Sequence, residues 1–162
     1  MSHKEKEKMS TEEKAEVKKN FNIFYEDVFN ELAKYGEIEE MIVCDNLNEH
    51  MVGNVYVRFR DENNAKAVMN KILARYYGGK LIQPSYTHVV DFKDARCKQH
   101  EMGRCSKGGF CNFIHVREPN HALVRKLLER QPLRVQRLHQ ATKPNKMEEE
   151  PALDMSTNNS TD

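Results

Sequence analysis

The chain has 162 residues, of which 26 are Lys or Arg and 25 are Asp or Glu, for a formal net charge of +1. With 38% apolar residues, 31% charged residues and no Trp, it holds material for one modest core flanked by polar segments. No apolar run approaches the roughly 20 residues needed to span a bilayer, so no membrane partner is expected.

Charge is segregated along the chain. Residues 21–50 carry eight acids against one base, Lys34, whereas residues 93–146 carry thirteen Lys or Arg against four acids. A charge run is ordinarily a solvated face. This segregation predicts a basic, RNA-facing half and an acidic half suited to a basic partner.

Residues 1–20 read as a polar N-terminal tail, partly helical, in which Ser10 and Glu13 have capping-box spacing. From Phe21 the pattern changes. Phe21, Phe24, Tyr25, Val28, Phe29, Leu32 and Tyr35 recur at helical spacing up to Gly36, which predicts an amphipathic helix. Residues 38–44 (IEEMIVC) and 53–60 (GNVYVRFR) read as two strands of a hairpin with a long polar loop. Cys44 on the first strand reads as a buried small hydrophobe. A second helix is predicted over 62–73, with Ala65, Val68, Met69, Ile72 and Leu73 on one side. Arg75-Tyr76-Tyr77, a Gly78-Gly79 turn and a last strand near 80–88 follow, and Pro84 makes that strand an edge or an irregular one.

The segment CKQHEMGRCSKGGFCNFIH, within a unit spanning 91–118, holds Cys97, Cys105, Cys111 and His115 at gaps of seven, five and three residues. Three thiolates and one imidazole complete a tetrahedral shell for one structural Zn2+, with no open position for a substrate. The gaps are too short to enclose a core, so such a segment takes its shape from the metal. Disulfides and chance spacing are the competing readings. Three local cysteines leave one thiol over, and no apolar leader precedes them, so the compartment reads as reducing. Nothing supports catalysis: the zinc-deaminase pattern, a Gly-rich phosphate loop, a nucleophile–base pair and a carboxylate dyad are all missing. The chain is read as a non-enzyme without a small-molecule substrate. His3, His50, His88, His100, His121 and His139 are scattered in mostly polar segments and read as solvated. Residues 119–139 suggest a short helical extension interrupted at Pro132, and 140–162 a disordered tail.

The order helix, strand, strand, helix, strand over residues 21–90 matches an RNA-recognition motif without its first strand. The predicted class is therefore α+β: a degenerate, ferredoxin-like RNA-recognition-motif domain followed by a Cys3His zinc finger. An RNA-reading third strand begins with a base and presents several stacking rings. Here Val52 takes the place of the base and Asn54 that of the first ring, leaving Tyr56 alone on the stacking face. The sheet thus reads as structural. Omitting the central first strand separates its neighbours by roughly 10 Å and exposes their ladder groups. Either the neighbours close up, a partner donates a strand, or the chain is a truncated product. A three-stranded remnant with two helices on one face is expected.

The stretches EIEEMIVCDN, VGNVYVRFRD and DFKDARCKQHEMGRCSKGGFCNFIH, with the acidic helix and the Arg-aromatic-aromatic loop, resemble the small subunit of the U2 auxiliary factor over about residues 21–118. That splicing-factor family marks 3′ splice sites. The resemblance implies a nuclear pre-mRNA splicing factor that forms a heterodimer with a large subunit. The domain would be the family's protein-binding homology motif. Glu26, Asp27 and Glu31 would then meet basic residues of the large subunit, Arg75 and Tyr77 would frame its tryptophan, and Tyr76 would insert into it. Tyr77 stands where the family has Phe. The finger resembles the family's second finger, so Arg96, Lys98, Arg104 and Lys107 would meet phosphates. Gln99, Phe110 and Phe113 would contact bases of the splice-site AG, although Phe113 suits the finger's own small core equally. Neither the family's first finger nor an Arg-Ser-rich tail is found in this sequence. The alternative is a truncated interaction protein that binds the large subunit or another partner without specific RNA reading.

Overall fold

A computed structural model describes residues 10–89 and 91–141 of the chain. Helix α1 runs over Thr11–Ala33, beginning ten residues ahead of the apolar run. The capping box explains that early start. The Ser10 side chain accepts from the Glu13 N–H at 3.2 Å, and the Glu13 carboxylate accepts from the Ser10 N–H at 2.7 Å. Two otherwise orphaned groups are thereby satisfied. Only the later turns pack: Phe21, Tyr25, Phe29, Leu32 and Ala33 are buried, while residues 10–16 are exposed.

After α1 the chain makes a sharp approach to the sheet at Gly36. A Cβ there would lie 2.6 Å from the Phe59 ring and 2.8 Å from Asn64, so glycine is required by packing. Strands β1 (Ile38–Val43) and β2 (Val55–Phe59) then form an antiparallel hairpin, with a register irregularity between Ile38 and Glu40. Helix α2 (Glu62–Ile72) follows, capped by Asp61, whose carboxylate accepts from the Asn63 N–H.

The third strand differs from expectation. Residues 80–88 do not form a strand beside the hairpin. Only β4 (Lys80–Leu81) pairs, and its partner is β3 (Tyr76–Tyr77) in a separate two-residue ribbon. The main sheet among the described residues is two-stranded. The physical reason is local: Gly78 and Gly79 both adopt positive φ and fold the segment back on itself, and Pro84 has no N–H to extend a ladder.

Alternation along the hairpin divides two cores. Ile38, Met41 and Val43 of β1, with Val55, Val57 and Phe59 of β2, face α1 and Val68 of α2. On the opposite face Ile42, Cys44 and Tyr56 pack with Met51, Phe92 and Ile114. Both predicted helices therefore lie on one face, and the zinc-finger segment covers the other. Cys44 is buried and its thiol is pushed up to about 11 by burial, in keeping with an inert apolar role.

Helices α3 (Phe92–Ala95) and α4 (Lys98–Glu101) and a single 3-10 turn (Gly108–Phe110) belong to the finger segment. Helix α5 (His121–Arg130) is capped by Asn120, and α6 (Pro132–Ala141) starts at Pro132. Proline suits a first helical position, where its missing N–H costs nothing. Leu127 of α5 joins the α1 core. The expectation for residues 1–9 of the tail, and that of disorder beyond residue 141, lie outside the described residues. No helix among the described residues is long and apolar enough to cross a membrane.

Candidate metal centre and partner face

The four predicted ligands converge. The ligand atoms of Cys97, Cys105, Cys111 and His115 lie within 4.8 Å of one another, with Cys97, Cys111 and His115 buried. The Cys97 and Cys111 sulfurs are 3.8 Å apart, close to the edge of a tetrahedron built on zinc–sulfur bonds of about 2.3 Å. His115 Nε2 is buried without a hydrogen-bond partner. Burial holds the His115 imidazole below its ordinary pKa, with His100 adding to the effect, so the ring is neutral and able to ligate. The donor set, the sulfur spacing and the orphaned nitrogen all fit one structural Zn2+.

The loop after β1 holds this centre in place. Asn46 is fully buried; its Nδ2 donates to the carbonyls of Cys111 and Phe113 at 3.0 Å each, and its Oδ1 accepts from the His115 N–H at 2.8 Å. Asn48 Nδ2 donates to the Cys111 carbonyl at 2.8 Å, and the Asp45 and Leu47 N–H groups donate to His115 and Gly109. A Cβ on Gly109 would meet Leu47 at 2.6 Å. His100 corrects an expectation. It is half-buried and its ring stacks on His115 at 3.9 Å, against the zinc ligand and so not fully solvated. His3 and the side chain of His139 lie outside the described residues.

The RNA-facing candidates divide into two groups. Lys98, Gln99, Arg104, Lys107, Phe110 and Phe113 lie on exposed parts of the finger. Phe110 and Phe113 are 69% and 54% exposed, which places Phe113 outside any core. Arg96 differs. Its guanidinium is only 23% exposed and is held by Glu40 at 2.9 Å and Glu101 at 3.8 Å. Glu40 also meets Arg58 at 3.5 Å, so this network fastens the finger to the sheet. Tyr56, the remaining candidate stacking ring, packs edge-on against Phe92 at 6.0 Å.

The partner-facing candidates gather where the β3–β4 ribbon folds onto α1. Arg75 donates to Glu31 at 2.7 Å, and Lys34 reaches the same carboxylate at 2.6 Å. The hydrogen bonds from Lys34 and Arg75 hold the Glu31 carboxyl down to about 2. Tyr77 sits edge-on to Phe24 at 5.5 Å. Burial, then the neighbouring Asp27 carboxylate, raises its phenol above the usual range. Tyr76 points outward and is 68% exposed. Glu26 lies one residue along, half-buried, and makes no ion pair among the described residues.

Sequence reasoning missed Asn46, Asn48, Glu40 and Gln131. The Gln131 amide, buried, bonds both the N–H (2.7 Å) and the C=O (2.8 Å) of Ile38, and Arg137 meets Glu37 with two bonds at 2.9 and 3.0 Å. Nothing local in the polar loop or the helical extension signals contacts across 63 to 100 residues.

The fold and the site define a Cys3His zinc-finger protein of mixed α+β architecture, with the finger docked on a hairpin. Residues 92–117 match the zinc finger C-x8-C-x5-C-x3-H type (and similar), here with a first gap of seven residues. Over most of its length the chain is similar in sequence to small subunits of splicing factor U2AF. It is 48% identical over 120 residues to the splicing factor U2AF 26 kDa subunit of Bos taurus, covering 74% of this chain and 54% of that one. Against the 23 kDa subunit of Schizosaccharomyces pombe it is 43% identical over 113 residues, 70% and 52% of the two chains. The 38 kDa subunit of Drosophila melanogaster is 47% identical over 116 residues, 71% and 44%. The chain thus spans about half the length of the curated relatives it matches.

Proposed function

We propose that the chain acts in pre-mRNA splicing as a small-subunit-like component of the U2 auxiliary factor, in the nucleus. In this reading α1, β1, β2 and α2 form a degenerate RNA-recognition motif that binds a protein. The observation that carries it is the finger packed on the sheet face where RNA would otherwise stack, with Tyr56 against Phe92. The free face of α1 and the ribbon at Arg75, Tyr76 and Tyr77 then serve the large subunit. An exposed aromatic ringed by charges is a suitable anchor for such an interface. Arg75 and Glu31 hold the ribbon in position, while Glu26 and Asp27 offer charge to a basic ligand.

The exposed bases and rings of the finger would contact the 3′ splice-site AG. Lys98, Arg104 and Lys107 meet phosphates, and Gln99, Phe110 and Phe113 meet bases. Arg96 is left to the interface with Glu40. The test is fluorescence anisotropy of the zinc-loaded chain with a large-subunit ligand peptide, using pyrimidine-rich RNAs ending in AG or CG at one stated salt concentration. A preference for AG supports the reading. Equal or absent binding with retained peptide affinity favours the second one, a protein that occupies the large subunit without reading RNA. The engagement of Arg96 by two carboxylates, which removes one cation from the RNA face, is the observation on its side.

A further inference from the structure

The two strands of the hairpin treat their outer edges differently. On β1 the outer edge is filled. Ile38 gives both main-chain groups to the Gln131 amide, the Met41 carbonyl accepts the Tyr25 hydroxyl at 2.9 Å, and the Val43 carbonyl accepts the Arg117 N–H at 2.9 Å. Cys44 continues the edge by bridging to Val116.

The outer edge of β2 is open. The Cys44 N–H bonds to the Asn54 carbonyl at 3.0 Å, and the Arg60 N–H to the Glu37 carbonyl at 2.8 Å. With Ile42 opposite Tyr56 and Glu40 opposite Arg58, the residues Asn54, Tyr56, Arg58 and Arg60 turn their main-chain groups toward β1. Val55, Val57 and Phe59 therefore turn theirs outward. Among the described residues nothing bonds them, although β2 is half-buried along its whole length. A row of outward N–H and C=O groups without partners is a template for another strand. Nor does β2 contain a proline or a bulge of the kind that blocks an edge.

This edge is complementary to itself. Setting an antiparallel copy with Val57 opposite Val57 also sets Val55 opposite Phe59, so all the outward-turned residues pair with one another. The same register sets Tyr56 opposite Arg58 of the other copy, so no like charges face each other there. Moving the two-fold axis to Phe59 sets Arg58 against Arg60, like charge on like; moving it to Val55 sets Val57 against Gly53. One register is favoured.

We propose that β2 is a homodimerisation edge. Two copies of this chain join about a two-fold axis at Val57 into a four-stranded antiparallel sheet ordered β1-β2-β2-β1, with the contact isologous. This does not depend on the splicing reading. It is tested by analytical ultracentrifugation of the zinc-loaded full chain across a hundredfold range of concentration. The expected result is a monomer–dimer equilibrium that Val57→Pro weakens at least about tenfold, because two main-chain bonds at the axis are lost. A strict monomer at every concentration overturns the proposal, as does a dimer that Val57→Pro leaves unchanged. Should that variant fail to fold, amide exchange of the unmodified chain decides. The Val55, Val57 and Phe59 amides must gain protection as concentration rises, while concentration-independent exchange at all three overturns it.

Discussion

Asn46 accepts the His115 main-chain N–H at 2.8 Å while donating to the carbonyls of Cys111 and Phe113. One buried amide thus fixes the last two zinc ligands from a loop about 65 residues away in sequence. Replacing it by Ala leaves several buried groups unpaired, each worth about 1–3 kcal/mol. Asn46→Ala should lower stability by about 2–4 kcal/mol and weaken zinc binding about 10–100-fold. Thermal melting and chelator competition read the two effects separately.

Metal exchange tests the ligand set directly. Cobalt substituted at the centre should give the intense visible absorption of a tetrahedral site with sulfur ligands, and Cys105→Ser should reduce its thiolate charge-transfer band. Removing the metal should also loosen the sheet, because Ile114 and Phe92 cover Ile42 and Cys44. The expected sign is new exposure of β1 amides to hydrogen exchange on chelation. Unchanged protection there would show that the finger and hairpin are independent.

Gln131 acts as a substitute strand for β1, meeting both main-chain groups of Ile38 from a buried position. Gln131→Ala should therefore cost about 2–4 kcal/mol, since two buried partners are left unsatisfied. Urea denaturation measures this. A loss below about 0.5 kcal/mol, the usual range for surface substitutions, would mean that the extension is not part of the cooperative unit.

Acid should release the β3–β4 ribbon from α1. The Glu31 carboxyl is held down to about 2, first by Lys34 and then by Arg75, against an ordinary value of 4.5. A depressed carboxyl contributes stability that is complete above its unfolded value and disappears as pH falls through its folded one. The ribbon should thus loosen between about pH 4.5 and pH 2, with little change above that window. NMR titration of Glu31 follows it. Arg75→Met should raise the Glu31 value part of the way, because Lys34 remains.

Ala74 is the one non-glycine residue with positive φ among the described residues, at 62°. It links α2 to β3, where the chain must reverse. The left-handed region costs an L-residue about 1–2 kcal/mol. Ala74→Gly should consequently stabilise the protein by up to about 1 kcal/mol after the entropy of the unfolded chain is counted, as a shift in the urea midpoint. Destabilisation instead would show that the Ala74 methyl makes a contact worth more than the strain.

What local chemistry dictates was legible in the residues themselves. Four ligands at gaps of seven, five and three can close on one ion wherever the segment sits, so the metal centre needed no knowledge of the fold. The Ser10–Glu13 box and the spacing from Phe21 to Leu32 likewise act within a few turns. Tertiary structure decided the rest. Arg96, legible only as a basic residue beside a ligand, became an anchor because Glu40 lies on the sheet face that the finger covers. Residues 80–88 carried some strand character, yet their ladder partners are Tyr76 and Tyr77, just across the paired glycines, with Ile82 bonding the Arg75 carbonyl beyond them. Asn46 and Gln131 sit in unremarkable polar surroundings until distant carbonyls reach them. Short-range patterns depend on side-chain period and spacing, which a sequence displays. Burial, ion pairing and edge completion depend on which segments the chain brings together, and that is settled only when the core forms.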